Sequence, residues 1–109
     1  MADEERRKRN PAIERRIAEV KKDDIRVALI GTIIEKDKSI NAIVIDDGEA
    51  NIRVLLPEDI FERFEAGQLV RAIGLVAPAL EGDEKEIRGE IVQDFSKLDK
   101  ELYREYLKL

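Results

Sequence analysis

Residues 25–36, IRVALIGTIIEK, most limit what this chain can fold into. The run is rich in β-branched side chains and apolar on both alternating faces, so it reads as a long strand covered on both sides. Gly31 interrupts it near the middle. A glycine inside a long strand points to a bulge or a sharp bend, as a barrel corner requires.

Two more strands follow, residues 40–46 (INAIVID) and 50–56 (ANIRVLL). Between them lies Asp46-Asp47-Gly48-Glu49, and Asp-Gly between apolar runs is a strong hairpin signal. Pro57 to Ala66 (PEDIFERFEA) reads as a helix: proline opens it, acids fill its first turn, Ile60, Phe61 and Phe64 form an apolar side, and Gly67 stops it. Residues 69–77 (LVRAIGLVA) form a fourth strand ended by Pro78, Ala79–Lys85 is an acidic loop, and residues 86–93 (EIRGEIVQ) form a fifth strand. Upstream, Ile13, Ile17 and Val20 recur at helical spacing after Asn10-Pro11. That spacing fits a short helix, or an extended segment closed by one turn at Ile17–Val20. The order strand, strand, strand, helix, strand, strand is that of the OB-fold. The fold class expected is all-β: a five-stranded OB-fold Greek-key barrel with a helix between strands 3 and 4 and a C-terminal amphipathic helix.

The chain divides into a charged, flexible N-terminus over 1–10, an OB-fold domain over 11–94 and a C-terminal oligomerisation helix over 95–109. In the last segment Phe95, Leu98, Leu102, Tyr106 and Leu109 form one stripe on a helical wheel, and Tyr103 and Leu107 widen it. The apolar arc covers about half the wheel, against the ~100° stripe that docks a surface helix on one core. Asp94 or Ser96 caps the helix, Ser96 with Asp99 making a capping box. Packing on its own barrel accounts for one side of this arc, and association with other subunits accounts for the whole of it.

Net charge is −5, whereas a chain that grips nucleic acid by itself usually has a basic excess. Charged residues make up 41% of the chain, with no Cys, no Trp and one Met, the drift of proteins from hot environments. Without Cys there are neither disulfides nor thiolate metal sites. No apolar run approaches the ~20 residues of a membrane span, and MADEERRKR lacks a signal-peptide core. The expected location is intracellular: cytoplasmic, nucleoid-associated.

Several stretches resemble one family. Pro11-Ala12-Ile13 and Ile17-Ala18-Glu19-Val20 look like its lead-in, Val27-Ala28-Leu29-Ile30-Gly31-Thr32-Ile33 like its first strand, Ile45-Asp46-Asp47-Gly48 like its second-strand turn, and Val70-Arg71-Ala72-Ile73-Gly74 like its fourth strand. The chain resembles the small and middle subunits of replication protein A, the heterotrimeric single-stranded-DNA-binding protein, in its archaeal form. The resemblance implies that the last helix is a trimerisation helix, joining two other OB-fold subunits in a three-helix bundle. A chain ending at Leu109 fits the small subunit better than a truncated middle subunit.

Sequence-tolerant binding of single strands needs aromatic platforms and a basic groove. The aromatics Phe61, Phe64, Phe95, Tyr103 and Tyr106 all fall on expected helices. The expected nucleic-acid contacts are Lys36, Lys38, Arg53, Arg71, Lys85 and Arg88, each of which reads equally as an ordinary outward charge. With no His, no Cys and no nucleophile–base pair, the chain offers no catalytic site, and no metal, cofactor or small-molecule substrate is expected. The function expected is a structural subunit of a heterotrimeric single-stranded-DNA-binding complex in replication, recombination and repair. It would assemble through Phe95, Leu98, Leu102, Tyr103, Tyr106, Leu107 and Leu109 and reach DNA mainly through the complex. The alternatives are an autonomous homo-oligomeric nucleic-acid-binding protein and a protein-interaction adaptor.

Overall fold

A computed structural model describes residues 11–78 and 84–96. The strands are β1 (Ile13–Glu14), β2 (Arg26–Asp37), β3 (Ala42–Asp46), β4 (Asn51–Leu55), β5 (Leu69–Pro78) and β6 (Lys85–Asp94), with one helical turn, α1, at Glu58–Phe61. The five strands expected from sequence are β2 to β6.

These five close on themselves in the order β2-β3-β4-β6-β5, with β2 pairing β5 again. All pairs are antiparallel except β4 with β6, where Arg53, Val54 and Leu55 lie against Glu86, Ile87 and Arg88. Strand β2 belongs to two ladders: residues 26–32 pair with β5, and residues 32–37 pair with β3. Gly31 sits at the changeover, where an added Cβ would lie 3.0 Å from the Asp46 carbonyl oxygen. The register slips three residues later, between Ile33 and Glu35. The bend and the bulge are therefore separate features of one strand.

Inside the barrel Val27, Leu29, Ile33, Ile43, Ile45, Ile52, Val54, Val70, Ala72 and Ile87 form the core. Ile17 and Val20 join it at the end where β3 turns into β4, and Phe61 and Phe64 join it at the end holding Lys36. The lead-in is extended, not helical. β1 runs parallel to β2 opposite Val27 and Ala28, and a 3₁₀ turn follows at Ile17–Glu19. The Ile17 amide donates to Asp47 Oδ2 at 3.1 Å, which ties this turn to the β3–β4 hairpin. Asp24 closes the next turn by accepting from the Lys21 amide, at 2.8 Å, and from Arg15; these two donors hold its carboxyl below the usual range.

α1 is shorter than the helix expected over Pro57–Ala66. The chain beyond Glu62 is drawn back to β2 instead. Gly67, at φ 97°, donates its amide to the Ile33 carbonyl at 2.8 Å, and the Ile33 amide donates to Gln68 O at 2.9 Å. These tertiary bonds replace the intrahelical ones that the last turn would have made.

Gly74 and Gly89 mark where β5 and β6 slip past each other. A Cβ on Gly74 would lie 2.2 Å from the Arg88 carbonyl oxygen, against backbone that has no rotamer to change. Gly74→Ala is expected to destabilise the domain by about 2–3 kcal/mol, while Lys38→Ala on the exposed β2–β3 turn stays within about 0.5 kcal/mol. Urea unfolding of the two variants beside the parent checks this.

Candidate nucleic-acid interface

The outer surface of β3 and β4 is where an OB barrel of this topology would receive a nucleic-acid strand. Three rows of residues cross it. Thr32, Asp46 and Asn51 share the first, Glu35, Val44, Arg53 and Glu86 the second, and Asp37, Ala42, Leu55 and Arg88 the third. The residues alternating with them on β3 and β4 (Ile43, Ile45, Ile52, Val54) are core, which fixes this set as the outer one. Four carboxylates, one of them (Glu86) buried, stand beside two arginines, and no aromatic ring stands on this face among the described residues. A strand of nucleic acid would meet net repulsion and no stacking platform.

The six expected cationic contacts do not come together. Lys38, Arg53 and Arg88 are exposed, with Arg53 and Arg88 on this face and Lys38 in the turn at its end. Arg71 lies on another side of the barrel, where it bonds Glu14 at 2.8 Å and Gln93 at 3.0 Å. Lys85 donates to the Val20 carbonyl and fastens the lead-in. Lys36 donates to the Phe64 carbonyl at 2.6 Å, its Nζ 4.3 Å from the centre of the Phe61 ring.

The bulge at Ile34 explains Lys36. Ile33 opposes core Ile45, and after the extra residue Lys36 opposes core Ile43. Simple alternation from Ile33 would have turned Lys36 outward and Glu35 and Asp37 inward. One inserted residue reverses all three. Glu35 and Asp37 were missed from sequence for that reason; the run of both-face apolar residues before the bulge gave no alternation to follow.

Short polar side chains on the face are occupied by local structure. Asp46 accepts from the Gly48 amide, and Asp47 from the amides of Glu49, Ala50 and Ile17. Asp37 accepts from the Ser39 hydroxyl and amide, which hold its carboxyl below the usual range, Arg53 adding a smaller pull. Among the described residues no group of His, Cys, Asp or Glu is arranged to hold a metal ion. No helix there is long and apolar enough to cross a membrane.

Of the expected oligomerisation residues, Phe95 is described: it is half-buried, and its amide donates to the Leu69 carbonyl at 2.7 Å. Leu98, Leu102, Tyr103, Tyr106, Leu107 and Leu109 lie outside the described residues, as do residues 1–10 and the acidic loop over 79–83.

No family model matches the chain, and no curated protein matches it. Solved structures do. A hypothetical protein, ygiW, from E. coli is 20% identical with a TM-score of 0.60, over 76% of this chain and 90% of that one. The Stn1-Ten1 complex of S. pombe matches at 14% identity and a TM-score of 0.61, over 78% and 68% of the respective chains. A replication protein A heterotrimer bound to single-stranded DNA matches at 15% identity and a TM-score of 0.61, over 77% and 67%. At these identities the likeness establishes the fold, an all-β OB barrel, and the chemistry must be read from the residues.

Two outcomes test this face. Lys36→Met is expected to lose about 1–2 kcal/mol of stability, because it removes the cation from the Phe64 carbonyl and the Phe61 ring. Arg53→Ala is expected to change stability by less than about 0.5 kcal/mol; chemical denaturation compares the two. Ser39→Ala is expected to raise the Asp37 midpoint toward the ordinary carboxylate value in an NMR titration. The sign follows from linkage: a depressed folded pKa stabilises above the unfolded pKa, and that contribution fades as pH falls through the folded value.

Proposed function

We propose that this protein is a non-enzymatic structural subunit of a complex that binds single-stranded DNA, supplying an OB barrel and a C-terminal joining helix and few DNA contacts of its own. The observation that carries this reading is the charge of the outer β3–β4 face. Glu35, Asp37 and Asp46, with Glu86 (8% exposed) beside them, outnumber Arg53 and Arg88 there, and the buried Phe61 and Phe64 cannot stack on bases. A barrel of this kind without a receptive groove is suited to holding other subunits.

Two of the solved structures it resembles support the same reading, since one is a two-protein complex and the other a heterotrimer with single-stranded DNA bound. The partners proposed are two further OB-fold subunits meeting this chain through Phe95, Leu98, Leu102, Tyr103, Tyr106, Leu107 and Leu109, as the small subunit of an archaeal-type replication protein A would. An intracellular, nucleoid-associated location follows from that role.

The isolated chain is expected to bind a thymidine oligonucleotide no more tightly than about 10 µM near physiological salt, as read by fluorescence anisotropy. Leu102→Glu is expected to weaken capture of partner subunits from source extract by more than about 30-fold, while the circular dichroism of the barrel is retained. Tight, steeply salt-dependent binding by the isolated chain would instead mark an autonomous nucleic-acid-binding protein. Capture of partners lacking DNA-binding subunits would mark an adaptor.

A further inference from the structure

The lead-in, residues 11–24, lies outside the ring of strands. β2, β3, β4, β6 and β5 close on one another without it, and β1 joins that ring as an added strand on β2. Contact of β2 with β5 starts directly after the lead-in, where the Val76 amide donates to the Ile25 carbonyl at 3.0 Å. A boundary between two units therefore falls between Asp24 and Ile25. Within residues 11–24, Ile17 and Val20 are the buried side chains. Ile13 and Ile25, near the two ends, are 46% and 55% exposed, so the closed position gains little apolar burial there. The barrel holds the lead-in at separate points: Asp47 accepts from the Ile17 amide, Lys85 donates to the Val20 carbonyl, and Arg71 pairs with Glu14. The lead-in also has bonds of its own. Arg15 donates to Asp24 at 3.1 Å, Asp24 accepts from the Lys21 amide, and Arg16 lies 3.6 Å from Glu19. A segment with internal ties and few buried apolar contacts opens at a smaller free-energy cost than the core beneath it.

We propose that residues 11–24 form a strap that leaves and returns as one unit while the barrel stays closed, and that the strip beneath it is a docking site for a strand of another protein. Opening bares the flank of β2 opposite β5 at Val27 and Ala28. It also bares the barrel mouth beside β4, where the 3₁₀ turn at Ile17–Glu19 rests. The strap itself defines the chemistry of the occupant. It is an extended segment running parallel to β2, with amides to meet the Ala28 carbonyl and the Asp47 carboxylate. Two apolar side chains three positions apart would replace Ile17 and Val20 in the mouth. Backbone pairing then supplies affinity and the two apolar side chains supply specificity. The closed strap excludes such a segment, because a tethered strand competes at an effective concentration on the order of millimolar.

Neither DNA nor a partner subunit is needed, so the test runs on the isolated full chain and its outcome is separate from that of the assembly reading. Native-state hydrogen exchange is the first readout. The amides of Arg15 and Ile17, which bond Ala28 and Asp47, are expected to exchange together. Their rate is expected to exceed that of the paired amides of β2 and β5 by about 100-fold or more. Exchange at the barrel's own rate overturns the proposal. Complementation is the second readout. In the full chain carrying Ile17→Ala and Val20→Ala, the amide NMR signals of Ala28 and Asp47 are expected to move while those of core Ile43 and Val70 stay in place. The peptide PAIERRIAEV, the sequence of residues 11–20, is expected to return them when added at millimolar concentration. The same peptide with Ile17→Asp is expected to leave them displaced. Unfolding of the barrel in the double variant, signals that the first peptide does not return, or equal return by both peptides overturns the proposal.

Discussion

Closure of the barrel rests on β2, which must pair with β5 through one half and with β3 through the other. A straight strand cannot serve both neighbours in so small a barrel. Gly31 lets the β3 backbone at Asp46 approach where the strand turns, and the slip at Ile34 adds twist just beyond. The bulge leaves the amide and carbonyl of Ile33 facing away from the β3 ladder. Gln68 and Gly67 satisfy both, which returns the chain from α1 to the start of β5 at the right height. The open flank of β2 at Val27 and Ala28 is filled by β1, and Glu14 then holds Arg71 across the row. Bend, bulge, loop and lead-in are thus consequences of one strand having two partners.

The same slip decides the chemistry of the outer β3–β4 face. It places Glu35 and Asp37 outward and withdraws Lys36 to the barrel end, where it closes the Phe61–Phe64 plug. A residue inserted for geometric reasons therefore exchanges a cation for two carboxylates on the surface that would otherwise face a polyanion. The effect is larger than any single substitution there, since local potential depends on the sum of nearby charges. The burial of both phenylalanines works in the same direction, because rings committed to the core offer no face to a base.

Much of the architecture was legible in the sequence. All five barrel strands fall within two residues of their expected ends, because runs such as INAIVID and ANIRVLL alternate cleanly around an Asp-Gly turn. Lead-in and helix lengths were less legible, since Ile13, Ile17 and Val20 carry helical spacing but are held extended and turned by Ala28 and Asp47, partners far away in sequence. The candidate site was the least legible part. Arg71 and Lys85 looked available, and only the fold reveals Glu14, Gln93 and the Val20 carbonyl beside them. Side-chain parity beyond Ile34 was hidden because residues 25–34 are apolar on both faces, so no polar partner marked the slip.

That double-sided apolarity has a further physical meaning. An inward set on β2 is required by the core, and the outward set of Ala28 and Ile30 is buried as well, so both faces of this half-strand gain from burial. Ile73 on β5 and Ile91 on β6 extend the outward set across two more strands, so it is a property of a surface and not of one segment. With acids across the β3–β4 face and apolar side chains at the centre of the β2–β5–β6 face, neither described outer face offers the basic, aromatic-lined groove that a single strand needs.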